Sequence, residues 1–130
     1  ISGPLLDRID LQIRGPRIAI EELRIKRAGA PASPAARKRI EAARDVQSRR
    51  FAKLKIKTNS EMSSRQTEER LHLSKEGEGL LETLGKDRLS PRGYYRLLKV
   101  AKTIADLEEE EQVSAEHLAE AFSYRLREEI

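Results

Sequence analysis

Cysteine is absent from this 130-residue chain, and aromatic residues make up only 4% of it. Without cysteine, neither a disulfide framework nor a thiolate metal site can form. His72 and His117 are the two histidines, too few for a histidine-rich metal or acid–base cluster. The scarcity of aromatics leaves the core to Leu, Ile, Ala and Val. No apolar run approaches the roughly 18 residues that a membrane-spanning helix needs, and the N-terminus lacks a signal-peptide pattern. None of the 7 glycines belongs to a Gly-x-x-x-x-Gly-Lys-Ser/Thr loop, so nothing here cradles nucleotide phosphates in the manner of that loop. Gly77-Glu78-Gly79 falls inside an expected helix and has no third glycine after it. No Ser/His/Asp, Cys/His or zinc-ligand spacing emerges. Catalysis by this chain alone is therefore not expected.

What is abundant is charge, at 37% of residues against 38% hydrophobic. The formal net charge of +4 hides an asymmetry. Residues 14–57 carry 14 Lys/Arg against 4 Asp/Glu, whereas residues 104–130 carry 2 against 9. A basic half and an acidic tail suit nucleic acid, an acidic partner or head-to-tail self-assembly. They suit equally a set of solvated helix faces. The length is that of one domain with a modest core.

Ile9, Leu11 and Ile13 alternate with Asp10 and Gln12, the period of a half-buried strand, and Gly15-Pro16 ends it. One strand alone cannot satisfy its backbone groups, so residues 1–16 are expected to be poorly ordered or irregular apart from a sheet. Opening on Ile1-Ser2-Gly3-Pro4 without Met, the chain reads as starting at a domain boundary. Residues 17–33 form a linker, which becomes rich in small residues and proline over 27–34. Ser33-Pro34 combines a capping serine with proline at the first helical position and predicts a helix to about Phe51. Ile40, Ala43, Gln47 and Phe51 lie near one face of it. Arg37, Lys38, Arg44, Arg49 and Arg50 cover much of the rest. Asn59 starts a short turn through Met62, and residues 63–70 are too polar to assign.

Ser74 caps a helix over Lys75 to Lys86 with Leu80, Leu81 and Leu84 as its stripe; Gly77 and Gly79 each weaken it by roughly 1 kcal/mol relative to alanine. Ser90-Pro91 starts the strongest helix, in which Tyr94, Leu97, Leu98, Ala101, Ile104, Ala105 and Leu107 keep helical spacing. Glu108 to Glu111 form an acidic loop. Ser114 caps the last helix, with Val113 and Leu118 placed as a hydrophobic staple. The expected fold is all-α, a small bundle of about four principal helices over residues 34–130.

Two phrases then stand out. Ser2-Gly3-Pro4-Leu5-Leu6-Asp7-Arg8-Ile9-Asp10-Leu11 resembles the end of the AAA+ core in magnesium-chelatase-subunit-like ATPases, particularly their bacterial ComM/YifB type. Leu89-Ser90-Pro91-Arg92-Gly93-Tyr94-Tyr95-Arg96, with the helix that follows, resembles the C-terminal lid of the same family. The basic stretch from Arg37 to Arg50 is similar to its arginine-bearing lid helix, and His117 to Arg125 to its closing helix. The resemblance implies that Arg8 is an arginine finger offered to ATP on a neighbouring subunit. It implies that Arg92 is the lid's sensor-2 arginine, facing an ATP phosphate. A planar, permanent cation suits both tasks, because phosphoryl transfer gathers charge on the γ-phosphate oxygens. A cation in a helix's first turn also opposes the helix dipole unless an anion is meant to arrive there.

From the residues alone, Arg8 can equally pair with Asp7 and Asp10 on the surface, and Arg92 can be a solvated arginine on a packing helix. Arg37, Arg44, Arg49, Arg50 and Arg96 are candidates for interface or nucleic-acid contacts. The resemblance implies ATP and Mg²⁺ in the full-length protein, with neither bound by this region alone. The implied partners are the AAA+ core of the same chain, neighbouring subunits in a ring and, on the ComM side, DNA undergoing ATP-driven remodelling; a chelatase role would instead mean metal insertion into porphyrin. No membrane contact is expected, and the expected location is the cytoplasm. The alternative is a stand-alone basic helical module that binds DNA or protein.

Overall fold

Serine caps organise the chain. The computed structural model describes Leu11, residues 33–84 and residues 89–124. Among these residues five α-helices appear: α1 Ser33–Arg50, α2 Ser64–Arg70, α3 Lys75–Leu84, α4 Pro91–Leu107 and α5 Ala115–Ser123. A 3₁₀ turn, Asn59–Glu61, joins α1 to α2. No strand occurs among the described residues; Leu73 and Val113 form an isolated parallel bridge. The expected strand near Leu11 and most of the linker lie outside the described residues.

Each cap supplies an acceptor to an otherwise orphaned first-turn N–H. Ser90 Oγ accepts from the Gly93 amide at 3.0 Å, and Ser74 Oγ from the Gly77 amide at 3.0 Å. Ser63 Oγ accepts from the Gln66 amide at 3.1 Å while the Ser63 amide donates to Gln66 Oε1 at 2.9 Å. That reciprocal box creates α2 in the stretch left unassigned by its polarity. At α5 the third residue of the box is a histidine: the Ser114 amide donates to His117 Nδ1 at 3.0 Å.

The hydrophobic core joins α3, α4 and α5. Leu81, Leu97, Leu98, Ala101, Ile104, Ala105, Val113, Leu118 and Ala121 are its buried members. Val113 and Leu118, the expected staple, are both completely buried there. The bridge ties two helix starts together, because the Ser74 amide donates to the Val113 carbonyl at 2.9 Å and the Val113 amide to the His72 carbonyl at 2.8 Å. This close passage separates the two glycines of α3. A Cβ on Gly77 would lie 2.9 Å from the Val113 carbonyl oxygen, whereas one on Gly79 would meet nothing within 4 Å.

α4 contacts α1, the 3₁₀ turn, α2 and α5, while α3 packs on α5. Its C-terminus is closed by Glu109 at φ 59°. The Glu109 amide reaches the Asp106 carbonyl at 3.1 Å and the Glu110 amide the Ala105 carbonyl at 2.9 Å, the paired bonds of a Schellman cap with glutamate at the usual glycine position. α1 starts one residue before the expected Pro34 and ends one before Phe51. Ala43, Gln47 and Phe51 are buried as their spacing implies. Ile40 is not: it is 50% exposed, and every residue from 33 to 41 is exposed. The first half of α1 overhangs the bundle, so the apolar stripe runs on past the surface that receives it.

Candidate functional site

The start of α4 carries the cations. Ser90 and Pro91 fix the first turn, Arg92 is exposed on it, and Arg96 and Lys99 follow at four- and seven-residue spacing, which keeps them on one side. That side borders a groove of about 750 Å³ whose apolar lining includes Met62, Val100, Ile104 and Leu107. Ser60, Ser63 and Ser64 flank it from the 3₁₀ turn and α2, and Glu120 and Tyr124 from α5. Leu11, the one described residue ahead of α1, also lines it.

Two tyrosines stiffen the rim. Tyr95 donates its hydroxyl to Glu68 Oε1 at 2.8 Å, and Tyr124 donates to Glu120 Oε2 at 2.8 Å. Each bond holds the phenol in its protonated form and raises its pKa above the ordinary value. Tyr94 meets Tyr95 edge-to-face, centroids 5.1 Å apart, and packs against the core. Lys99 donates to the Ser60 carbonyl at 3.3 Å. Burial, and secondarily the Arg96 charge, push its pKa below that of a free lysine. The groove thus combines an apolar floor with a row of cations beginning at a helix N-terminus. Such a surface can bind and orient an anion attached to an apolar or aromatic body. Among the described residues no group of three or more His, Cys, Asp or Glu could hold a metal ion.

Nearer the C-terminus of α4 lies a second cluster, which sequence reasoning missed. Asp106, with its side chain 1% exposed, accepts from Arg50 Nη2 at 2.7 Å and Nη1 at 3.0 Å. It also accepts from Asn59 Nδ2 at 2.8 Å. Asn59 Oδ1 accepts from Arg50 Nη1 at 2.9 Å, and the Asn59 amide donates to Gln47 Oε1 at 3.0 Å. Lys102, also buried, sits 4.0 Å from Asp106 and donates to the Glu111 carbonyl at 2.8 Å. Desolvation first, and then the Arg50 charge, lower the Lys102 pKa. The result is a clamp holding α1 and the 3₁₀ turn to α4. The one clue in the sequence is Lys102 and Asp106 at i,i+4 beside the apolar stripe.

The candidate residues therefore divide. Arg92 and Arg96 share the groove. Arg37, Arg44 and Arg49 are exposed on α1, away from it. Arg50, grouped with them by sequence, turns inward to Asp106 and lies over the Phe51 ring at 5.8 Å. Arg8 lies outside the described residues. His117 is buried, with Nε2 2.8 Å from Glu108 Oε2, while His72 is exposed.

Residues 30–125 match the family model described as magnesium chelatase, subunit ChlI C-terminal. The chain belongs to that family. Among curated relatives, the competence protein ComM of Haemophilus influenzae is 37% identical over 126 residues, and the uncharacterized protein YifB of Salmonella typhimurium 40% over 126. A Mycobacterium tuberculosis protein, also uncharacterized, is 31% identical over 126 residues. Each alignment covers 96% of this chain, which spans about a quarter of each relative: 24% of the first two and 25% of the third. The magnesium-chelatase C-terminal region is thus a helical bundle here, as its capped, periodic segments imply. No helix among the described residues is long and apolar enough to cross a membrane.

Proposed function

We propose that this domain is the helical lid of a magnesium-chelatase-like AAA+ ATPase, contributing to ATP sensing, to subunit assembly and to the coupling of hydrolysis to remodelling. The observation that carries the reading is Arg92: an exposed guanidinium in the first turn of a serine-capped helix, aligned with Arg96 and Lys99 along an apolar-floored groove. A cation at that end of a helix is unfavourable until an anion arrives. In this reading the anion is an ATP phosphate. Arg92 would bind it as sensor 2, and Arg8 would reach as arginine finger to ATP on the next subunit. Neither role includes the phosphate-binding loop or the Mg²⁺ ligands, which fall to the AAA+ core.

The remodelled substrate in this reading is DNA, in keeping with the word competence in the name of the Haemophilus relative. The domain acts inside the cell, on the cytoplasmic side. The test is ATP turnover by the full-length protein. Arg92→Ala should lower kcat by roughly 100-fold, on the scale of losing one preorganised donor to a developing charge. Arg92→Lys should recover only part, because a point charge replaces a planar fork. Unchanged turnover in Arg92→Ala would overturn the sensor assignment.

A further inference from the structure

A second cleft, of about 750 Å³, is lined by residues of α1, α2, α4 and the loop that follows α4. It shares no lining residue with the groove beside Arg92. Its buried and half-buried lining holds Arg50, Arg70, Lys102 and Asp106, so three cations meet one carboxylate. That carboxylate is already occupied. Both Asp106 oxygens accept from Arg50, and Oδ2 accepts from Asn59 as well, which leaves Lys102 at 4.0 Å.

Two of these cations lack a counter-ion of their own. Lys102, its side chain 5% exposed, uses one of its three donors on the Glu111 carbonyl at 2.8 Å. Desolvation and the Arg50 charge both press it toward the neutral form, as befits a buried cation that is not fully matched. The Arg70 guanidinium has no acceptor among the described residues, and its Nε is buried. Arg49 adds an exposed cation to the rim. Glu109, Glu110 and Glu111 line the cleft too, all exposed, and among the described residues none of them pairs with a lining cation. Charges bathed in water act several-fold more weakly than the same charges below the surface. The inner cations therefore decide which group enters, and the rim carboxylates decide what the rest of the ligand can carry.

We propose that this cleft binds a small phosphate monoester that also carries a positive charge, its phosphate held by Lys102, Arg70 and Arg49 and its cationic end by Glu109 to Glu111. A phosphate monoester brings three acceptor oxygens and a charge of about −1.5 to −2, which suits several unmatched cations better than a single carboxylate does. A nucleic-acid backbone or a polyphosphate fits poorly, because its further phosphates would run along the three glutamates. The volume is that of a small-molecule site. The inference goes beyond the proposed function and does not rest on nucleotide sensing.

Amide and arginine side-chain NMR of this chain, titrated with phosphoethanolamine, tests it. Saturable shifts are expected at Arg70, Lys102 and Glu111, with the Arg92 and Arg96 resonances unmoved. Inorganic phosphate lacks the cationic end, and β-alanine has a carboxylate in place of the phosphate; each should bind about tenfold more weakly. Arg70→Gln should weaken phosphoethanolamine by about tenfold without lowering the thermal melt, since its guanidinium holds no other group among the described residues. Glu110→Gln with Glu111→Gln should erase the preference for phosphoethanolamine over inorganic phosphate while phosphate still binds. Absence of saturable shifts at millimolar ligand would overturn the inference, as would β-alanine binding equally well. So would shifts spread over Arg37 and Arg44 on the exposed half of α1, or an Arg70→Gln chain that binds as the wild type does. The outcome of the Arg92 turnover experiment leaves all of these results untouched.

Discussion

Removing the Asp106 carboxylate should be among the most damaging single changes in this bundle. Asp106→Ala deletes three acceptor contacts at once, two from Arg50 and one from Asn59. It leaves the Arg50 side chain, only 16% exposed, without its counter-ion, and brings Lys102 into the same deficit. Breaking a buried pair from one side typically costs about 3–5 kcal/mol, since the surviving charge keeps its desolvation penalty. Arg50→Met removes the other partner and should cost less, about 2–3 kcal/mol, because Lys102 and Asn59 remain to face the carboxylate. In Arg50→Met with Asp106→Ala, both charges of the pair leave together. The combined loss should therefore fall short of the sum of the singles by about 2 kcal/mol. Urea unfolding followed by far-UV circular dichroism measures all three. Additivity within about 0.5 kcal/mol, or an Asp106→Ala cost below about 1 kcal/mol, would show that the cluster is a solvated pair and not a clamp.

The two glycines of α3 should respond in opposite directions. Gly79→Ala, entering open space, should stabilise by about 1 kcal/mol. Gly77→Ala should destabilise by about 1–3 kcal/mol as the Val113 carbonyl is forced away and the bridge opens; thermal melts of both variants check the pair. Glu61 provides a pH probe of the 3₁₀ turn. Hydrogen bonds from the Lys57 amide and the Thr58 hydroxyl, joined by the Thr58 amide and the Lys57 charge, outweigh desolvation and hold its pKa below the ordinary carboxylate value. The cap is therefore complete above the unfolded-state pKa and lost as pH falls through the lower folded one. In amide NMR, the Lys57 and Thr58 resonances should move together across that acidic window and stand still in Glu61→Gln.

How much of this was readable from the residues depends on whether the determinant is local. Serine caps act within one turn, so Ser74, Ser90 and Ser114 located three helices, and the 3.6-residue stripe of α4 located the core. The capping box Ser63-x-x-Gln66 was just as local, but α2 shows how a short helix without an apolar stripe escapes a search based on periodicity. What periodicity cannot reveal is where a helix's neighbours end. Ile40 repeats the spacing of Ala43 and Gln47 and yet meets solvent, because nothing described extends beneath the first half of α1. Nor does charge reveal direction. Arg49 and Arg50 are adjacent arginines in the same helical turn, but the 100° between them sends one to solvent and the other to Asp106, 56 residues away. Composition had joined them into one basic surface. The fold divides them into an anchor and a free face, and in doing so sets the rest of α1's cations outward, where another molecule can use them.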